Sequence, residues 1–180
     1  DFSQLYGRGL ALNLFENRGL GYDTWMDGIN AKFNSDYINM SAVYGTLDFK
    51  DSIVIARDEI HKLRGGTIEV TPIRDLSIGL TYIYSRSSLK LVGESKELEI
   101  NIPSIFANYS FSHFTFSFDF ANKESKNKND NQTSNGAAYY GALSFNKDGL
   151  GITLDYKNYF FDERDPFEKN DITRTTRMMP

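Results

Sequence analysis

The 180-residue chain has no cysteine, which excludes a disulfide framework, a thiolate metal site and a cysteine nucleophile. No stretch approaches the roughly 18 to 20 consecutive apolar residues that a spanning helix needs, so a helical membrane protein is excluded. A basic excess is missing too: Lys and Arg total 20 against 24 Asp and Glu, spread along the chain, which removes nucleic acid from the expected partners. The opening DFSQLYGRG lacks a basic-then-apolar leader, so the chain reads as a mature form or an internal piece. What is abundant is aromatic side chain, 14% within 40% hydrophobic content, and that excludes a disordered chain.

The apolar residues follow a period of two. In residues 76–85, Leu76, Ile78, Leu80, Tyr82 and Tyr84 alternate with Ser77, Gly79, Thr81, Ile83 and Ser85. In 114–121, Phe114, Phe116, Phe118 and Phe120 alternate with Thr115, Ser117, Asp119 and Ala121. The same pattern sets Leu150, Ile152, Leu154 and Tyr156 against Gly151, Thr153, Asp155 and Lys157, and Ile38, Met40, Ala42 and Tyr44 against Asn39, Ser41, Val43 and Gly45. Shorter or looser alternation predicts strands over 5–14, 28–34, 62–72 and 137–146. A ninth strand over 97–111 changes phase, from Leu98, Ile100 and Ile102 to Ile105, Ala107, Tyr109 and Phe111, which predicts a bulge at Pro103-Ser104.

The expected fold is all-β: an antiparallel up-and-down meander of about nine strands over 1–180, a single barrel domain and an internal fragment of a longer barrel. Its connections alternate in length. Short turns fall at Asn34-Ser35-Asp36, Arg74-Asp75, Ser112-His113 and Asn146-Lys147-Asp148-Gly149, and long polar loops are expected over 15–26, 49–61, 86–96, 122–136 and 162–176. Short turns at one end and long loops at the other characterise outer-membrane barrels, with the loops extracellular. A soluble sandwich also has one apolar face per strand, but its strands average about five or six residues, shorter than several of these runs. Tyrosines near strand ends (Tyr44, Tyr82, Tyr84, Tyr139, Tyr140, Tyr156, Tyr159) suit an interfacial girdle.

A barrel in outer-membrane lipid then divides the side chains. Ile38, Met40, Leu76, Ile78, Leu80, Tyr82, Phe114, Phe116, Phe118, Phe120, Leu150, Ile152, Leu154 and Tyr156 are expected to face lipid. Asn30, Lys32, Asn39, Ser41, Glu69, Thr81, Asn108, Thr115, Ser117, Asp119, Asp155 and Lys157 are expected to face the lumen, lining a water-filled path in a wide barrel or plugging a narrow one.

Residues 6–33 carry Gly7, Gly9, Glu16, Arg18, Leu20, Asp23, Asp27 and Gly28 in the order of a glycine-rich strand, a Glu-x-Arg-x-Leu loop and an Asp-Gly that opens the next strand. In this the stretch resembles a family of uncharacterised outer-membrane β-barrel proteins from the Bacteroidetes and Chlorobi lineages. The resemblance implies a transmembrane barrel considerably longer than 180 residues, with this chain drawn from its middle, and supplies no catalytic residue. Read physically, Glu16, Arg18, Asp23 and Asp27 are expected to form a charge network ordering the first long loop.

Catalytic chemistry is not assigned. There is no Gly-x-Ser-x-Gly elbow, His113 falls in a tight turn, and Gly7-Arg8-Gly9 lacks the rest of a phosphate-binding signature. Asp162, Glu163 and Asp165 do not follow the order of an EF-hand, and Asn39, Asn108 and Asn131 head chance glycosylation triplets, so no metal, cofactor or modification is expected. The leading function is a membrane-embedded pore, transport component or anchor that holds other envelope proteins in an assembly. Two alternatives stand beside it: an outer-membrane enzyme using His61 with Asp58 and Glu59, and a soluble all-β binding protein whose Phe114–Phe120 face lies under a second sheet.

Overall fold

The computed structural model describes residues 4–6, 9–14, 16–17, 22–23, 26–50, 58–91 and 94–161. They form β1 (Gln4–Tyr6), β2 (Leu12–Leu14), β3 (Glu16–Asn17), β4 (Tyr22–Asp23), β5 (Asp27–Asn34), β6 (Ile38–Lys50), β7 (Asp58–Ile73), β8 (Leu76–Leu91), β9 (Glu94–Phe111), β10 (Phe114–Asn127), β11 (Thr133–Lys147) and β12 (Leu150–Phe161). Strands β5 to β12 make one eight-stranded sheet in chain order, each antiparallel to the next, which is an up-and-down meander. β1 pairs with β2 and β3 with β4 as separate two-stranded ribbons.

The alternating segments all fall in strands, with three differences. The strand expected over 5–14 is split: Gly9 takes φ +87° and its N–H donates to the Tyr6 carbonyl, so β1 and β2 fold back on each other outside the large sheet. The bulge expected at Pro103-Ser104 is absent. Pairing toward β10 is interrupted at Pro103, which has no N–H to give, and resumes at Glu124↔Asn101 in the register of Ala121↔Ser104. The register shift lies instead between Val70 and Ile73 in β7.

The third difference concerns the polar loops. β6 runs on to Lys50, β8 to Leu91, β10 to Asn127, and their partners begin at Asp58, Glu94 and Thr133, so most of the stretches expected as loops over 86–96 and 122–136 are strand, as are both ends of 49–61, whose middle lies outside the described residues. Between β10 and β11 only Lys128 to Gln132 remain as a connection. The loops expected over 15–26 and 162–176 lie largely outside the described residues. At the other end the turns are as tight as expected, and Asp148 and Gly149, at φ +49° and +85°, have the two positive φ values of a type I′ hairpin turn.

The strands are long because the wall has two tiers of opposite polarity. On one face, the rows near the tight turns are apolar, as in Ile38–Val70–Ile78–Ala107–Phe118 and Leu76–Tyr109–Phe116–Leu143–Leu154. Leu80 is 60% exposed on this open face and Leu154 66%. Farther from the turns the same face becomes charged: Asp27, Thr46, Lys62, Arg86, Glu99 and Lys126 follow one another across the register. The opposite face inverts in step. It is polar near the turns, in Lys32–Ser41–Thr67–Thr81–Ser104, and apolar above, where Val43, Leu47, Leu63, Ile83, Leu98, Ile100 and Ile102 are buried.

This inversion explains the phase change in β9 without a bulge. Leu98, Ile100 and Ile102 face one way in the upper tier, and Ile105, Ala107, Tyr109 and Phe111 face the other way in the lower. The upper apolar face is covered by the N-terminal hairpin: Tyr6, Leu10, Ala11 and Leu12 are buried in one cluster with Met26, Val43, Leu47, Leu63, Ile83, Ile102, Ala121 and Ala138. Among the described residues β5 pairs only with β6 and β12 only with β11, so the sheet has two open edges.

Candidate functional site

The polar lower tier beneath the hairpin is where binding chemistry collects. Alternation and register put Asn30, Lys32, Asn39, Ser41, Glu69, Thr81, Asn108, Thr115, Ser117, Asp119, Asp155 and Lys157 on the face that carries the hairpin. Ile38, Met40, Leu76, Ile78, Leu80, Tyr82, Phe114, Phe116, Phe118, Phe120, Leu150, Ile152, Leu154 and Tyr156 sit on the opposite, open face. Phe114 and Phe116 are each 47% exposed, and no second sheet covers them among the described residues.

An open cavity of about 360 Å³ lies between the hairpin and this wall, lined by Leu5 and Tyr6 on one side and by Lys32, Asn34, Asn39, Met40, Ser41, Thr67, Glu69, Phe106 and Asn108 on the other. Lys32 is on β5 and Asn108 on β9; four interstrand steps of about 4.8 Å would hold them roughly 19 Å apart in a flat sheet. Their meeting at one cavity means that the sheet curls around the hairpin. Of the residues expected to line a lumen, Lys32, Asn39, Ser41, Glu69 and Asn108 are thus brought together.

Tyr6 fixes the hairpin to this wall. Its hydroxyl lies 3.0 Å from Ser41 Oγ, and Ser41 donates its own proton to Asn30 Oδ1 at 3.3 Å, so the tyrosine is the donor. Burial pushes the Tyr6 hydroxyl above its ordinary pKa, which keeps that proton in place. Beside it, Thr81 donates to Thr67 Oγ1 at 3.0 Å and Thr67 to the Leu80 carbonyl at 3.1 Å.

A second polar group forms on β9 to β12, outside the lining of that cavity. Ser104 donates to Asp119 at 3.0 Å, with Asp119 fully buried, and Tyr140 donates to Asp155 at 2.7 Å while Lys157 stands 5.4 Å from the centre of the Tyr140 ring. Both charge signs therefore occur on each half of the wall: Lys32 and Glu69 on one, Asp119, Asp155 and Lys157 on the other.

His61 is buried in the upper tier rather than set in a loop, with Nδ1 2.6 Å from Ser87 Oγ and Ser85 Oγ 3.5 Å beyond. The side chains of Asp58, Glu59, Glu16, Arg18 and Asp23 lie outside the described residues, as do Asp162, Glu163 and Asp165, although the backbones of Glu16 and Asp23 pair in the β3–β4 ribbon. Among the described residues no three His, Asp or Glu converge in a metal-holding group. Sequence periodicity missed Tyr6, hidden in an expected strand, and Phe106, which stands at a polar phase of β9; the signal for Phe106 is Gly79, its bare partner across the ladder.

A sequence profile described as "Family of unknown function (DUF6029)" matches residues 1–173. Among solved structures the fold is similar to that of OmpT (in-vitro folded), an outer membrane protein of Vibrio cholerae in its trimer form, with a TM-score of 0.59 at 13% sequence identity. That match covers 74% of this chain and 45% of the other, so the chain spans less than half of the protein it resembles. No curated protein matches it in sequence.

Proposed function

The chain belongs to this family of unknown function, and we propose that it is part of an outer-membrane β-barrel that serves as a gated transport component. The observation that carries the reading is the apolar band on the open face. On β8 it runs from Leu76 to Tyr84, which matches the roughly nine to eleven residues a tilted strand needs to cross a bilayer. Among the described residues no charged side chain stands in its rows from Leu76 to Tyr82, and the row of Tyr84, which carries Arg64 and Glu124, is its upper border. Tyr44, Tyr82 and Tyr84 stand at its upper border, where aromatic side chains favour the lipid interface. The likeness in fold to an outer-membrane protein supports the same reading.

In this arrangement the fourteen apolar candidates on the open face touch lipid, and the twelve polar ones line a lumen. A lipid-exposed open edge leaves backbone groups unpaired, so further strands of the protein complete the barrel between β5 and β12. The hairpin closes the lumen at the long-strand end, where Tyr6, Leu10 and Leu12 sit among apolar wall residues, and leaves the cavity at Lys32 and Glu69 as a polar vestibule.

The test is reconstitution of the intact protein in planar bilayers. Rare conductance steps in the natural protein and frequent ones after deletion of residues 4–14 are expected. Failure of the protein to enter bilayers sinks the membrane reading. Insertion with no conductance in either form instead favours an anchor, in which the hairpin is a permanent core.

A further inference from the structure

At and above the upper border of the apolar band, the open face of β7 and β8 bears Arg64, Lys62 and Arg86, all exposed. Lys62 and Arg86 are direct cross-strand neighbours, and Arg64 faces Tyr84, with its guanidinium carbon 4.6 Å from the ring centre. The nearby acids are largely engaged elsewhere. Glu97 accepts from Arg86 at 2.8 Å, while Glu99 pairs with Lys128 and accepts from the Tyr84 hydroxyl. Asp27 shares the row of Lys62 but lies two strands away, across Thr46. Among the described residues, Lys62 and Arg64 keep their charge uncompensated.

Their height gives that charge a use. Each second residue along a strand rises about 7 Å, so Arg64 stands one such step above Gly66 and two above Ile68 in the apolar band. Acyl chains resting on Ile68 and Leu80 therefore bring their headgroups level with Arg64 and Lys62. Phosphate is the complementary group for a guanidinium and an ammonium held side by side at that level.

We propose that Lys62 and Arg64, with Arg86 held beside them by Glu97, form a docking site on the outer wall for a phosphorylated lipid headgroup. The site rests on the band being lipid-facing. It orients the barrel in its leaflet and marks the long-strand end as the one embedded among anionic headgroups.

The experiment uses the intact protein folded into phosphatidylcholine vesicles containing phosphatidate, extracted in neutral detergent, with the retained lipids measured by mass spectrometry. Phosphatidate enrichment is expected in the natural protein, falling roughly fivefold for each of Lys62→Ser and Arg64→Ser. Lys126→Ser, at the far side of the same row, is expected to leave it unchanged. Equal enrichment in all four proteins overturns the site, as does displacement of the lipid from the natural protein by inorganic phosphate, which would show an ion site only. Heat-dependent gel migration separates the two readings: an inserted barrel without enrichment refutes this site alone, and a protein that never inserts refutes the band and the site together.

Discussion

Phe106 lays its ring across Gly79, its cross-strand partner on the hairpin face of the sheet. A Cβ built on Gly79 would come within 2.1 Å of the ring's Cζ and 2.5 Å of Cε1. The glycine is thus the floor on which the aromatic side chain rests, beside the cavity and next to buried Asp119 in the same row.

Gly79→Val forces the ring out of that seat, and overpacking of this kind costs about 1–3 kcal/mol. Reversible unfolding from lipid vesicles in urea measures it. The double variant with Phe106→Ala is expected to recover part of the loss, because the clash is gone. If Gly79→Val is as stable as the natural protein, the ring is not seated on the glycine.

Leu80→Arg places a charge within the apolar band, where arginine costs about 2–4 kcal/mol at the bilayer midplane. Ser88→Arg, opposite Glu97 on the same face above the band, is expected to shift stability by no more than about 0.5 kcal/mol. Folding efficiency and unfolding free energy in vesicles compare the two. Equal costs would remove the distinction between the tiers.

Tyr6→Phe deletes the hydrogen bond to Ser41 while keeping the ring. A net loss of about 0.5–1.5 kcal/mol in hairpin docking is expected, since a typical intramolecular hydrogen bond contributes that much. In single-channel recordings the change should appear as a several-fold higher open probability. Unaltered gating would show that this contact does not hold the hairpin.

The hydrogen bond and charge of Arg86 hold the Glu97 carboxyl below the usual carboxylate range. A carboxylate whose folded pKa is lowered stabilises the fold above its unfolded pKa, and this contribution disappears as pH falls through the lowered value. Arg86→Gln is therefore expected to melt below the natural protein near neutral pH. The two should converge in acid, and added salt should shrink the gap because both groups are exposed. A gap that persists in acid assigns the effect to packing instead.

The lower tier was legible in the sequence because its greasy stripe alternates cleanly, as in Phe114 to Phe120 and Leu76 to Tyr82. The upper tier was not. There Lys62, Arg64, Arg86 and Glu99 point outward and Leu63, Ile83 and Ile100 inward, so the segments combine loop-like charge with ordinary strand hydrophobicity. The phase change in β9 was visible, but its cause was the change of surroundings along one regular strand, which a local bulge mimics in sequence. The polar face of the wall could be read from period two. The placement of Tyr6 against Ser41, 35 residues apart, depends on a fold-back at Gly9 that periodicity does not encode.

The buried cluster joins Tyr6 on β1 to Ala138 on β11, whereas every strand pair in the large sheet is a local hairpin. The two kinds of contact form on different clocks. Sequential hairpins close quickly because little chain must be gathered, but the upper tier has no filling until the N-terminal hairpin meets strands as distant in sequence as β11. Lower-tier zippering therefore comes first and enclosure of the N-terminal hairpin last. In the interval Leu63, Ile83 and Ile102 face an empty interior, so the slow phase of assembly is the one in which this protein most needs a chaperone.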